Sequence, residues 1–110
     1  YLQIFPIEIC YLTNLEFLDI NYNGIESLPT QISSLTNLRA FFADNNQLQT
    51  IPIQISSLTN LELITLYGNP LRSIPFEISH LNKLRIRIDG KDRHLFPPGL
   101  RVYSIPEQIN

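Results

Sequence analysis

The chain has 110 residues, of which 44% are hydrophobic and 16% are charged, and its formal net charge is -2. This length is enough for one domain with a hydrophobic core of its own. The slightly acidic balance gives no basic footprint for a nucleic acid, and the sequence holds no apolar run of about 18 residues for a membrane span, so neither partner is expected.

The sequence repeats itself at a fixed interval. The octapeptide QISSLTNL occupies residues 31–38 and again residues 54–61, so each of its positions recurs 23 positions later. Internal repeats indicate a fold more strongly than local propensities do, so we treat the repeat as one structural unit. Nine columns keep their residue type when the chain is stacked in steps of 23: Ile9/Ile32/Ile55, Leu12/Leu35/Leu58, Leu15/Leu38/Leu61, Leu18/Phe41/Ile64, Ile20/Ala43/Leu66, Asn23/Asn46/Asn69, Ile25/Leu48/Leu71, Leu28/Ile51/Ile74 and Pro29/Pro52/Pro75.

The first residues match the closing columns of a preceding unit, through Leu2 and Phe5-Pro6. No polar capping segment comes before them, although a solenoid needs capped ends to cover its core and its strand edge. The sequence therefore predicts a fragment of a longer array, and we expect the isolated chain to be marginally soluble.

Each unit predicts a short strand, a bend and a helical turn. In the third unit, Leu61-x-x-Ile64-x-Leu66 alternates as a strand buried on one face does. Asn69 follows, and Ile74-Pro75 begins the next turn, where the missing N–H of proline leaves no hydrogen bond unmade. One unit is too small to bury its apolar side alone. The units are therefore expected to stack, with parallel strands on the inner face and helical turns on the outer face.

The regular pattern runs from about residue 5 to residue 84 and then breaks. Leu84, Ile86 and Ile88 still alternate, so a strand persists in another register or closes the stack. Residues 85–103 are a terminal cap or one enlarged repeat. The second interpretation is favoured, because residues 104–110 resemble a new repeat start. Four residues occupy columns that require another type: Arg87, Asp89, Asp92 and His94.

The pattern L-x-x-L-x-L-x-x-N-x-L-x-x-[LI]-P resembles the leucine-rich repeat, in its intracellular 23-residue class known from Ras-pathway and polarity scaffolds and plant Ras-group repeat proteins. The resemblance covers Leu2 to about Leu84. It implies an α/β fold, a single right-handed horseshoe solenoid over residues 1–110. Parallel strands would line its concave face and short helical or 3₁₀ turns its convex face. It also implies a structural ladder of asparagines that bond to backbone groups, at Asn23, Asn46 and Asn69.

Signals for catalysis are nearly absent from the sequence. His80 and His94 are expected to be solvated surface residues, and nothing beside Cys10 suggests an activated thiol. These residues lie in different units and have no metal-ligand spacing. The sequence therefore predicts no enzyme activity, no metal, no cofactor and no small-molecule substrate.

The concave face is the candidate binding surface. Phe17, Phe42, Leu63 and Tyr67 are large apolar side chains at positions where folding alone would place polar ones, which is typical of contact surfaces. The alternative is cross-strand packing that only stabilises the sheet, and the binding interpretation is favoured over it. Ile86 and Ile88 either extend this row or are buried. The predicted partner-binding residues are Phe17, Asp19, Arg39, Phe42, Asp44, Leu63, Thr65 and Tyr67.

Together these features predict a protein-interaction module that binds a partner protein on its concave face, in intracellular signalling or scaffolding. A single cysteine and the absence of an Asn-x-Ser/Thr sequon favour a cytoplasmic location. The resemblance suggests small GTPases or other signalling proteins as partners. The alternative is a regulatory or targeting arm of a larger multidomain enzyme, such as a kinase, phosphatase, cyclase or ubiquitin ligase.

Overall fold

A computed structural model describes residues 2–105 of the chain. In this range five strands alternate with five short 3₁₀ helices, as the repeated columns predict. In chain order the elements are η1 (Ile7–Tyr11), β1 (Phe17–Asp19), η2 (Thr30–Ser34), β2 (Ala40–Phe42), η3 (Ile53–Ser57), β3 (Leu63–Thr65), η4 (Phe76–His80), β4 (Arg85–Asp89), η5 (Gly90–Leu95) and β5 (Arg101–Ile105).

The five strands form one parallel sheet in the order β1-β2-β3-β4-β5. Leu18 pairs with Phe41 and Phe41 pairs with Ile64, so the first three strands keep the repeat interval of the sequence. A parallel pair needs a crossover between its strands, and here each crossover contains one 3₁₀ helix. The predicted solenoid of strands and helical turns is therefore confirmed.

A proline directly precedes each of the first four 3₁₀ helices. Its ring holds φ between -73° and -64° at these positions, which suits the entry to a helical turn. The proline carbonyl then accepts the first turn hydrogen bond, for example from Ile55 N–H to Pro52 at 3.0 Å. The four prolines are Pro6, Pro29, Pro52 and Pro75.

The hydrophobic core lies between the sheet and the 3₁₀ helices. Phe41 and Ile64 enter it from the strands, and Ile55 enters it from a turn; all three are fully buried. Leu12, Leu35 and Leu58 occupy one column of the repeat. Leu35 and Leu58 are fully buried, whereas Leu12 is 55% exposed. Leu12 differs because no described coil packs against the outer side of the first one.

The predicted asparagine ladder runs through the bends between the strands and the return segments. Asn46 and Asn69 are buried, and each amide donates to three backbone carbonyls. The carbonyl of Ala43 accepts from both asparagines, so the ladder is continuous from one coil to the next. Asn23 makes the matching contacts in the first coil and accepts from Leu2 N–H at 2.7 Å. The ladder therefore satisfies backbone groups that the narrow sheet leaves without partners.

A second column of the repeat, also in the bend, has a left-handed backbone conformation. Tyr22, Asn45 and Gly68 occupy equivalent positions of three successive coils, with φ of 59°, 57° and 69°. Asparagine and glycine tolerate this conformation, while a bulky residue such as tyrosine rarely adopts it. The geometry of the coil therefore outweighs the local preference of Tyr22.

The pattern break after Leu84 is a one-residue shortening at the start of β4. Leu63 pairs with Arg85 and Ile64 with Ile86, so this coil has one residue fewer than the two coils before it. Ile86 and Ile88 consequently point into the core and are fully buried. Of the two interpretations that the sequence left open for these isoleucines, burial is confirmed.

The final described crossover is shorter again. Arg85 pairs with Arg101, and η5 begins directly after β4 with no return segment between them. Phe96 packs into the end of the core, with Leu95 and Leu100 against it. Within residues 85–103 the chain therefore forms a strand, a turn and most of a further strand. The predicted repeat start at 104–110 lies outside the described residues, except that Ser104 and Ile105 end β5.

Candidate binding face

The sheet presents one face to the core and the other to solvent. We call the solvent-facing side the concave face. Parallel register aligns its side chains in rows across the strands. The first row is Phe17, Ala40, Leu63, Arg85 and Arg101. The second row is Asp19, Phe42, Thr65, Arg87 and Tyr103.

The eight residues predicted to bind a partner all lie on or beside this face, but they are unequally accessible. Phe17 is 60% exposed, and Asp19 and Arg39 are also exposed. Four are half-buried: Phe42, Asp44, Leu63 and Tyr67. Thr65 is only 3% exposed, because Phe42 and Arg87 flank it on the neighbouring strands. Their role in binding remains a prediction.

The expected row of four open apolar side chains is thus reduced to one prominent aromatic ring. Neighbouring strands cover part of Phe42, Leu63 and Tyr67, as cross-strand packing does in any sheet. Phe17 is the exception, since it is 60% exposed among the described residues. It is the most accessible of the four predicted apolar side chains.

Arg39 is held in place by its neighbours. Its Nε lies 2.9 Å from Oε2 of Glu62, its Nη1 lies 3.6 Å from Oε1 of Glu16, and its guanidinium stands 5.9 Å from the centre of the Phe17 ring. The hydrogen bond with Glu62 raises the pKa of Arg39 and lowers the pKa of Glu62. These groups are exposed, so the pairs add little stability, but they fix the Arg39 side chain across three strands.

Polar side chains also link the strand ends at the other edge of the face. The carboxamide of Asn21 accepts from Asp44 N–H at 2.7 Å, and the carboxylate of Asp44 accepts from Tyr67 N–H at 2.9 Å. Asp89 continues the line by accepting from Gly68 N–H at 2.8 Å. Each side chain thus satisfies a backbone donor of an adjacent coil.

Asp44 carries an electrostatic cost in this position. Burial raises the pKa of its carboxyl above the ordinary 3.8, and Asp19 and Asp89 act in the same direction, while hydrogen bonding to Tyr67 N–H opposes them. When folding raises the pKa of a carboxyl, the folded protein becomes less stable as the pH rises from the unfolded pKa to the folded pKa.

We therefore expect Asp44→Asn to be at least as stable as the native chain at pH 7. The carboxamide keeps the acceptor for Tyr67 N–H, as Asn21 does in the preceding coil, and removes the buried charge. The advantage of the variant should shrink as the pH falls from the raised pKa of folded Asp44 to its ordinary value near 3.8, because the native carboxyl becomes protonated over this interval. Urea unfolding of both chains between acidic and neutral pH checks this. A variant that is less stable at pH 7 would contradict it.

Three exposed arginines on the concave face were not among the predicted binding residues. Arg85 and Arg87 alternate with the buried Ile86 and Ile88 along β4, and Arg101 lies beside Arg85 on β5. A strict interval of 23 assigned Arg87 to an apolar column, so the one-residue shift concealed it. The alternation of Leu84, Ile86 and Ile88 was the signal that could have located both β4 arginines.

The remaining reactive groups are dispersed. His80 and His94 are exposed, as predicted, and burial raises the pKa of the Cys10 thiol. Within residues 2–105 no three metal-ligating side chains converge. None of the helices in the described part of the chain has the length and apolar character to cross a membrane.

A parallel sheet with one short 3₁₀ turn in each crossover, joined by buried asparagines, defines a strand-and-turn solenoid. A family model described as leucine-rich repeats (two copies) matches residues 13–55. Among solved structures, a leucine-rich repeat protein of Leptospira interrogans aligns with 88% of this chain, with a TM-score of 0.67 and 25% sequence identity. The described residues therefore have a leucine-rich repeat fold, and residues 13–55 match the family model itself.

The chain spans 28% of the length of the Leptospira protein that it matches. No match was found among curated protein sequences. Leucine-rich repeat solenoids commonly serve as protein-interaction modules, and their curvature gives them extended concave surfaces for this purpose.

Proposed function

We propose that this chain binds a partner protein on its concave face, with Phe17 as the central apolar contact. The observation that carries the proposal is the 60% exposure of Phe17 beside an arginine that two carboxylates hold in place. An aromatic ring on a rigid sheet loses little conformational entropy when it is covered, which favours affinity. Phe42 lies in the next row and extends the apolar contact.

We further propose an intracellular setting in signalling or scaffolding. The support is the single cysteine, which is buried and cannot form an internal disulfide, together with the fixed interval of 23 in the repeats. The chain itself would act by presenting a surface, not by catalysis.

The experiment is capture of partners from a lysate of the source cell on the immobilised 110-residue chain, with bound proteins identified by quantitative mass spectrometry. The test variant is Phe17→Ala/Phe42→Ala. The matched control is Tyr11→Ala/Phe76→Ala, which removes two aromatic rings, 77% and 64% exposed, from the turns of the opposite side.

We expect at least one protein to be captured by the native chain and the control but lost from the test variant. The loss should be roughly tenfold or more, because truncating a central aromatic contact typically costs above about 1 kcal/mol. Circular dichroism of all three chains verifies that they are folded. Equal capture by the test variant and the control would contradict binding at the concave face.

A further inference from the structure

The concave face is divided by charge along the order of its strands. Acidic side chains lie at its first three strands: Glu16, Asp19, Asp44 and Glu62. The last two strands present Arg85, Arg87 and Arg101 instead, with the carboxylate of Asp89 at the end of β4. The net charge of -2 conceals this division, because the two halves nearly cancel.

The three arginines are close together and form no salt bridge with another described residue. Arg85 and Arg101 are direct register partners, so their backbones lie about 4.8 Å apart, and Arg87 is two residues further along the same face of β4. Like charges at paired positions of a sheet are destabilising, so folding gains nothing from this arrangement. Among the described residues, the salt bridges of the chain involve Arg39 and not these three arginines.

The nearest carboxylates already have other partners. Glu62 is bonded to Arg39 at 2.9 Å, and Asp89 accepts from the backbone N–H of Gly68 at 2.8 Å. Among the described residues, the three guanidinium groups therefore keep their donors available to a ligand. Arg87 is also the register partner of Tyr103, whose side chain is 52% exposed and adds an aromatic ring to the same surface.

The chemistry of the site favours carboxylates on a short stretch of chain. Guanidinium groups bind carboxylates with two parallel hydrogen bonds, and two arginines one strand spacing apart suit two neighbouring acidic side chains. A long polyanion such as a nucleic acid would extend over the acidic half, which begins one strand away with Glu62 at the start of β3. Repulsion there disfavours it.

We propose that Arg85, Arg87 and Arg101 bind an acidic segment of the partner protein, with two or more Asp or Glu side chains over β4 and β5. The inference rests on the proposed function and adds the orientation of the partner. Its acidic segment lies toward β5, and its apolar or basic part lies over Phe17 and the acidic half.

The test measures binding of a hexaglutamate peptide, labelled with tetramethylrhodamine, to the 110-residue chain by fluorescence anisotropy. A hexaglutamine peptide is the neutral comparison. The test variant is Arg85→Gln/Arg101→Gln. The matched control is Arg72→Gln/Lys91→Gln, which removes the same charge at exposed positions outside the two rows of the concave face.

We expect the native chain and the control to bind hexaglutamate alike, and the test variant to bind roughly tenfold more weakly or worse, because each lost bond to a charged group costs above about 1 kcal/mol. Affinity should fall from low ionic strength to about 150 mM salt. Equal weakening in both variants would overturn the proposal, since net charge alone would then govern binding. Absence of native binding, or equal binding of hexaglutamine, would overturn it as well.

The hexaglutamate experiment and the lysate capture experiment can fail independently of each other. If hexaglutamate fails to bind but the lysate partner still requires Phe17 and Phe42, the interaction module stands and the arginine site falls. If hexaglutamate requires Arg85 and Arg101 but no captured protein depends on the aromatic pair, the anion-binding arginines stand and the central contact falls.

Discussion

Replacing Asn46 with alanine is expected to destabilise the chain by about 2–4 kcal/mol, since a buried donor left unpaired costs about 1–3 kcal/mol and further bonds are lost with it. Asn46 is 1% exposed. Its amide donates to the carbonyls of Ile20, Ala43 and Asp44 at 3.0–3.3 Å, and its oxygen accepts from Ile25 N–H at 3.2 Å.

The Ile25 N–H decides the size of this effect. The carbonyls of Ile20 and Ala43 keep a second donor from Asn23 and Asn69, whereas the buried Ile25 N–H has only the Asn46 oxygen among the described contacts. Because a domain of this size is stable by about 5–15 kcal/mol, the midpoint of urea unfolding should fall markedly.

The matched control for the ladder is Asn60→Ala. Asn60 is exposed and makes one described hydrogen bond, from its amide to the Thr36 carbonyl at 3.0 Å. We expect it to lose about 1 kcal/mol or less. A similar loss in the two variants would show that the buried ladder does not carry the stability assigned to it.

Phe41→Ala is expected to cost about 3–5 kcal/mol, the largest effect of any single truncation proposed for this chain. Phe41 is fully buried at the centre of the first three strands, where it pairs with Leu18 on one side and Ile64 on the other. Truncation to alanine removes most of the ring and leaves a cavity that the rigid coils cannot close.

The adjacent Phe42 supplies the control, because successive side chains of a strand point to opposite faces. Phe42 is half-buried on the concave face, so Phe42→Ala should cost about 1 kcal/mol. Urea unfolding of the two variants measures the difference directly. Comparable losses would mean that Phe42 is as structural as Phe41, and the binding role proposed for it would lose its support.

The regular coils could be predicted because each residue there has the same role as its counterpart 23 positions away. Three examples of Asn in one column, each in the same apolar context, indicate a repeated bend, and the ladder bonds of Asn46 and Asn69 confirm it. The prolines indicated the start of each turn in the same way. The repeat thus supplied several independent examples of each local structure.

The concave face was less predictable, since accessibility depends on residues of other coils. Alternation correctly assigned Phe17 and Phe42 to the solvent side. It does not predict what fraction of Phe42 the neighbouring strands β1 and β3 cover. Arg39 was expected to bind a partner. In the structure it is bonded to Glu62, at the equivalent strand end of the next coil, so internal pairs hold its side chain.

The sequence alone therefore determined the repeated unit, its parallel stacking and the residues of the ladder, because a fixed interval with recurring residue types leaves one way to bury the apolar columns. Only the tertiary structure decided the register of β4. One fewer residue before Ile86 keeps the isoleucines in the core and turns Arg85 and Arg87 outward. Burial of apolar side chains against the preceding coil outweighs the regular interval there, and the division of charge on the concave face follows from that shift.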